Sequence, residues 1–328
     1  MDQQPHEVIW TVTNAIVPSS CLHVVAELGV ADHIGDQPIP VKELAARCGA
    51  DPDSLDRVLR LLSTYGIFAD RSGAYGHTEP SRLLGSDHPM SMRALSRMMG
   101  LPVFSAAFAQ LDHCVRTGSP SLEQVAPEGL WPYLQSHTRE AAIFGQAMTA
   151  KAAADVAAVL GAYGFGRFGT IADIGGGRGH LLRAILDVVP TAEGILFELP
   201  DVVATLHIDS ERLTAQAGDF FVDPLPAADA YILMEVIHDW ADAEAAAILR
   251  AIRRAAPADA AVLIIEGVVI EDQTDPRVQT LDVLMLAVTG GRERSPSQLS
   301  KLLESAGLRP STVIETSGAM RIVEATAV

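Results

Sequence analysis

Cysteine is scarce in this 328-residue sequence: Cys21, Cys48 and Cys114 are the only three. They are odd in number and widely scattered, which excludes a disulfide framework and the paired spacing of a zinc site. Positive charge is scarce too. Lysine and arginine total 24 against 41 acidic residues, a formal net charge of −17. Phosphate backbones and anionic membrane surfaces are bound through clustered Lys and Arg, so neither nucleic acid nor a membrane is an expected partner. No apolar run reaches the roughly eighteen residues of a bilayer span. MDQQPHEVIW has no basic start followed by an apolar stretch, so no secretory leader is expected. No metal is expected, and a reducing cytoplasm is the expected home. The acidity itself names no partner, since it often serves only solubility.

What is present is enough for a large core: 48% hydrophobic and 20% charged residues, over a length that suits two domains. No repeat or low-complexity segment is visible. From about Glu7 to Gly29 the apolar residues Val8, Ile9, Val12, Ile16, Leu22, Val25 and Leu28 recur at helical spacing; Pro18 is expected to separate two helices and Gly29 to cap the second. VKELAARCG and DSLDRVLRLLSTYG read as helices around an ADP turn, and IFADRSGAYGHTE as a β-ribbon turning near Ser72-Gly73. Together they predict a winged helix over 1–90. The end that a DNA reader would present to the bases carries Asp51, Asp53 and Asp56, which phosphates repel, so packing or dimerisation is the expected role. The leading helices are more apolar than a lone small domain requires, which points to a partner subunit.

Residues 91–160 read as a helical linker and pocket region ending in the long REAAIFGQAMTAKAAADVAAVLGAYG helix. From 161 to 328 strands and helices alternate, which predicts a Rossmann-like doubly wound, mostly parallel sheet. The tail, STVIET and AMRIVEATA about Ser317-Gly318, reads as a hairpin that adds one antiparallel strand.

The sharpest signal is Asp173-Ile-Gly175-Gly-Gly177-Arg-Gly179-His180, between a strand and a helix. Glycines there allow positive φ and close approach of backbone to a ligand. A dinucleotide loop is one reading, but that fingerprint wants glycine where His180 stands. The acid two residues before Gly175 serves no pyrophosphate and does serve a zwitterion carrying an ammonium group, such as S-adenosylmethionine. Glu198 lies 23 residues beyond Gly175, at a strand tip from which a carboxylate can accept ribose hydroxyls. A plain solvated glutamate is the alternative. Asp219 in AGDFF can meet an adenine amino group with Phe220 over the ring, or simply make a turn beside a core aromatic. His238 in EVIHDW stands past the fourth strand of the alternating region, on the edge where open α/β sheets bind ligands; its ordinary pKa near 6.5 suits proton removal, and a packing role is the alternative.

Taken together, DIGGGRGH, FELP, GDFF, EVIHDW, LIIEGVV and GGRERS resemble the plant-type small-molecule O-methyltransferase family, common also in bacterial secondary metabolism. The match in order and spacing runs from about Thr170 to the C-terminus, and 1–90 more loosely resembles that family's dimerisation domain. The resemblance implies a homodimeric, metal-independent enzyme that uses S-adenosylmethionine, leaves S-adenosylhomocysteine, and methylates a hydroxyl of a small molecule. Asp173, Gly175 and Gly177 would hold the methionine part, Glu198 the ribose, and Asp219 with Phe220 the adenine; Leu199 and Met234 fall among the cofactor positions. His238 would be the general base, oriented by Glu266 and Glu293. Phe144, Met148, Asp239 and Met285 would line the acceptor pocket. Core packing for the apolar ones, and ion pairing of Glu293 with Arg292 or Arg294, are the competing readings. The chain departs from the family at three places: Glu198 where Asp is usual, Met234 where many members carry a basic residue, and Ala152 where plant relatives carry Ser.

A phenol, with a pKa of about 10, lies within reach of a histidine base, and an aliphatic alcohol is harder, so a phenolic or enolic hydroxyl is expected. The alternatives within the fold are carbon or nitrogen methylation and cofactor-assisted hydroxylation or decarboxylation. From another class, a winged-helix regulator sensing a small molecule would need the basic recognition helix that this sequence lacks.

Overall fold

The computed structural model describes residues 4–270 and 275–327. The chain forms two compact units, Met1–Ser105 with His137–Lys151 and Ala106–Ser136 with Ala152–Val328.

In the first unit the leading helices are Pro5–Thr13 and Ile16–Glu27. The break falls at Asn14-Ala15, four residues before the expected one. Pro18 instead occupies the first turn of the second helix, where a missing N–H leaves no hydrogen bond unmade. Gly29 follows at φ +65°, the left-handed conformation that ends a helix. Strand β1 (Ile39–Pro40) leads into helices Val41–Cys48 and Pro52–Thr64, then β2 (Phe68–Asp70) and β3 (Ala74–His77). The three strands pair antiparallel in the order β1-β3-β2, which makes the winged helix. Leu44, Leu55, Leu59, Leu62, Phe68 and Tyr75 form its core. Two of the acids that argued against DNA are also structural. Asp51 caps its helix by accepting from the Ser54 amide at 2.9 Å, and Asp56 accepts from the buried Tyr75 hydroxyl at 2.8 Å.

The leading helices of this unit expose apolar side chains. Val8, Ile9, Trp10, Val12, Ile16 and Val17 are all exposed, Trp10 by 69%. The expectation of no membrane-length apolar segment is corrected here. Pro5–Glu27 and Thr138–Ala162, 23 and 25 residues, are each long and apolar enough to cross a bilayer by length and composition alone. Scattered Ser, Thr and His interrupt the apolar runs without making the helices polar.

The second unit is built on seven strands: β4 (Thr170–Ile174), β5 (Glu193–Glu198), β6 (Leu213–Ala217), β7 (Ala230–Met234), β8 (Ala261–Gly267), β9 (Leu308–Glu315) and β10 (Met320–Ala327). Their order is β6-β5-β4-β7-β8-β10-β9. β10 runs antiparallel to both β8 and β9, and the pairs from β6 to β8 are parallel. The doubly wound sheet with a single reversed strand is as the alternation implied. Successive residues point to opposite faces, and both faces are buried: Tyr231, Leu233, Val262 and Ile264 enter one core, and Ile232, Met234, Leu263 and Ile265 the other. Helices Asp242–Ala255 and Pro296–Ser305 cover the first, helix His180–Val188 the second. Such strands read as unbroken apolar runs, so a charged residue in them stands out. Asp173 in β4 and Glu266 in β8 are the fully buried ones, each 1% exposed and near the carboxyl end of its strand.

Candidate active site

At the carboxyl end of β4 the chain turns through Gly175, Gly177 and Gly179, all at positive φ. Gly175 is tightly placed. Its amide donates to the Phe197 carbonyl at 2.8 Å, and a Cβ there would lie 3.2 Å from Val236 and 3.6 Å from Phe220. The glycine turn, the end of β7 and the GDFF segment therefore meet at one point. Beneath the turn Asp173 is 1% exposed, and its Oδ1 has no hydrogen-bond partner. Burial, and then the nearby Glu198 charge, raise its pKa to about 7. A buried carboxylate oxygen without a partner is costly, and a cation or a proton relieves it.

Glu198 ends β5 and accepts from the Gly177 amide at 3.1 Å and from the Leu199 amide. Burial raises its pKa too, against the lowering effect of those amides. Asp219 accepts from the Phe221 amide at 2.9 Å and closes the turn that sets out Phe220 and Phe221. Phe220 packs edge-on to Trp240, and Trp240 continues to Trp131 at a ring separation of 6.4 Å. Met234 ends β7 and is buried.

Past β7 lies a short 3₁₀ turn, Ile237–Asp239. Its His238 is 4% exposed. The ring Nδ1 lies 2.7 Å from Glu293 Oε1 and the main-chain N–H donates to Glu266 Oε1 at 2.9 Å. On the other nitrogen, Nε2 stands 3.8 Å from Asp239 Oδ1. Burial disfavours the charged ring. The hydrogen bond that the ring donates to Glu293 and the charges of Asp239 and Glu266 outweigh it, so the imidazole pKa rises to about 10. Glu266, wholly buried, is pushed up to about 7, chiefly by desolvation.

The structure thus brings His238, Glu266, Glu293 and Asp239 together, and gathers Asp173, Gly175, Gly177, Glu198 and Leu199 around the glycine turn. Met285 is buried on helix Pro276–Val288 of the same unit. Phe144 and Met148 lie in the part of helix Thr138–Ala162 that belongs to the first unit, and Ala152 is buried in the second. Glu293 does not spend itself on its neighbours: it takes His238, while Arg294 pairs with Asp242. Sequence reading missed Arg294, Gly291 and Trp131. The Gly290-Gly291 doublet was the visible hint of a close approach, and nothing local told where Arg294 or Trp131 would point. Among the described residues no cluster of His, Cys, Asp or Glu is arranged to hold a metal ion.

The chain matches the family model of the O-methyltransferase domain over residues 108–309 and that of the O-methyltransferase dimerisation domain over 10–87. A phenazine O-methyltransferase of Lysobacter antibioticus is 37% identical to it, covering 93% of this chain and 91% of that one. An 8-amino-8-demethylriboflavin N,N-dimethyltransferase of Streptomyces davaonensis is 36% identical over 87% and 85%. The crystal structure of human N-acetylserotonin methyltransferase in complex with SAM superposes with a TM-score of 0.92 at 28% identity, covering 99% of this chain and 98% of that one.

Proposed function

The chain belongs to the O-methyltransferase family and is a methyltransferase that uses S-adenosylmethionine; from that premise we propose that it methylates a phenolic or enolic hydroxyl of a small molecule, with His238 as general base. The observation that carries this reading is the Glu293–His238 pair. Glu293 holds Nδ1 and leaves Nε2 as the nitrogen that takes a proton, as the acid does in a catalytic triad.

The cofactor fits what the chain offers. The unpartnered Asp173 oxygen suits an ammonium group, the glycine turn brings backbone close, and Glu198 stands where ribose hydroxyls are accepted. When bound, S-adenosylmethionine supplies an electrophilic methyl group on a sulfonium. The rest is the work of this chain. The glycine turn and the acids orient, and the aromatic residues beside Phe220 exclude water. Fixed alignment of the reacting groups is worth roughly 7–11 kcal/mol. His238 accepts the hydroxyl proton, worth on the order of 10²–10⁴ in rate. Glu293, Asp239 and Glu266 raise the ring's affinity for a proton, which favours its taking one from a phenol, whose own pKa is about 10. The three carboxylates stabilise the imidazolium that results.

Residues 1–90 are assigned to homodimer formation, through the exposed faces of the leading helices, and 161–328 to cofactor binding; from the sequence resemblance, 91–160 with Phe144 and Met148, and separately Met285 and Asp239, are assigned to acceptor recognition. Cytoplasmic residence without nucleic acid or membrane partners accords with the charge and the unpaired cysteines. An aromatic amine is the second acceptor to test, because one relative is named an N,N-dimethyltransferase.

The experiment is labelled S-adenosylmethionine offered with panels of phenols and anilines, to the wild type and to His238→Ala. The variant is expected to lose phenol methylation by about 10²–10⁴ while cofactor affinity by calorimetry stays unchanged. Full turnover of phenols by that variant removes His238 from the mechanism. Methylation of anilines alone moves the acceptor to nitrogen.

A further inference from the structure

Residue 294 is tied to every segment that carries the acid–base machinery. Its backbone forms a parallel bridge with Val268, and its carbonyl accepts from the Val269 amide at 3.1 Å. That bridge lies two residues past Glu266 and one past Glu293, so it sets the spacing of the two acids. Its side chain, 1% exposed, turns to the histidine segment. Nη1 donates to the Ile237 carbonyl at 3.0 Å and Nη2 to the Trp240 carbonyl at 2.7 Å, while Nε bonds Asp242 Oδ1 at 2.9 Å. The two carbonyls flank His238-Asp239. From the other side the Arg292 amide donates to the His238 carbonyl at 2.8 Å. Gly291 lies so close that a Cβ on it would sit 1.9 Å from that carbonyl oxygen.

A guanidinium carries five N–H donors in a planar fork. Here the fork spans a turn that has only three residues and little hydrogen bonding of its own. Burying such a charge is unfavourable unless its donors are satisfied, and Arg294 satisfies them on the carbonyls that frame the histidine. We propose that Arg294 is a positioning residue: it clamps the Ile237–Trp240 turn and so holds the His238 ring on Glu293, without itself touching the reacting atoms. Lysine gathers its donors on one atom with no planar fork, so it does not reproduce the two separate nitrogens that hold the two carbonyls. The proposal rests on the reading of His238 as general base.

The test is Arg294→Lys, made in the wild type and in His238→Ala, with Asp242→Asn as the second variant. In the wild-type background Arg294→Lys is expected to lower kcat on the order of 10–100-fold, the scale of a misplacement of about 1 Å. Cofactor affinity is expected to stay within about twofold, and the pH–rate limb of His238 to move toward lower pH as Glu293 loses its hold. In the His238→Ala background the same substitution is expected to change the residual rate by less than about twofold, because the group it positions is gone. Asp242→Asn keeps both carbonyl bonds and is expected to stay within about threefold of wild type. Wild-type kcat and pH profile in Arg294→Lys overturn the proposal. So does an equal loss in both backgrounds, or a loss in Asp242→Asn as large as that in Arg294→Lys. If instead His238→Ala itself keeps full activity, it is the general-base reading that falls.

Discussion

The two units of this protein keep their costly groups in opposite places. In the first, the unusual feature is outside: six large apolar residues between Val8 and Val17, grouped on the leading helices, are exposed. In the second the exposed large apolar residues, such as Val115, Val188 and Val222, are scattered along the chain, and a group of buried charged residues stands out inside, where Asp173, His238, Glu266, Glu293 and Arg294 are all at most 4% exposed. Exposed apolar area is relieved by another macromolecule. Buried charge and partnerless oxygen are relieved by a small charged ligand or by a proton. The placement of the unfavourable groups therefore separates a unit completed by a protein partner from one completed by small molecules and chemistry.

The sharpest way to probe the inner half of that contrast is Glu293→Gln. Loss of the carboxylate lowers the pKa of His238, so the rising limb of the pH–rate profile should shift down by roughly 1–3 units, with a lower plateau; an unmoved limb would mean that Glu293 does not tune the base. Stability gives the matching sign. Because His238 is raised in the folded state, its contribution is fully present below its ordinary value near 6.5 and is lost as pH rises through about 10. Urea unfolding across that window should show this slope in the wild type and a smaller one in the variant.

Asp173→Asn should weaken cofactor binding by about 10–100-fold, the worth of one charge-assisted hydrogen bond, read by calorimetry. Here the stability sign is reversed. An acid raised to about 7 costs nothing below its ordinary carboxylate range and costs progressively more as pH rises through about 7. The ligand-free variant should therefore gain stability above pH 7 relative to wild type, even as it loses affinity. Smallest in chemical effect, and a test of the outer half, is Trp10→Asp. Weakening of self-association by roughly 30-fold, the scale of a lost aromatic anchor, should appear in sedimentation velocity, with cofactor affinity unchanged. Unaltered association would place the partner surface elsewhere.

Much of the second unit was legible in the sequence because its signals are local. Alternating strands and helices imply a parallel sheet, the carboxyl ends of its strands imply a ligand edge, and DIGGGRGH, FELP and EVIHDW fall at three of those ends. Where an apolar run stops marks the end of a strand, which is why Asp173 reads as lying near the end of one strand and His238 as lying just past another. The helix break at Asn14 rather than Pro18 was not legible, since proline is compatible with a first turn and only packing decides where the turn begins.

Only the tertiary structure decided which charges meet. Glu293 stands between two arginines in the sequence, yet it takes a histidine 55 positions away, and Arg294 reaches the carbonyls on either side of that histidine. The sequence determined the sheet, its ligand edge and the chemical types available there, because periodicity and turn chemistry act over a few residues. Partnership between buried charges depends on distances below about 3 Å between segments far apart in the chain, and no local rule reports those.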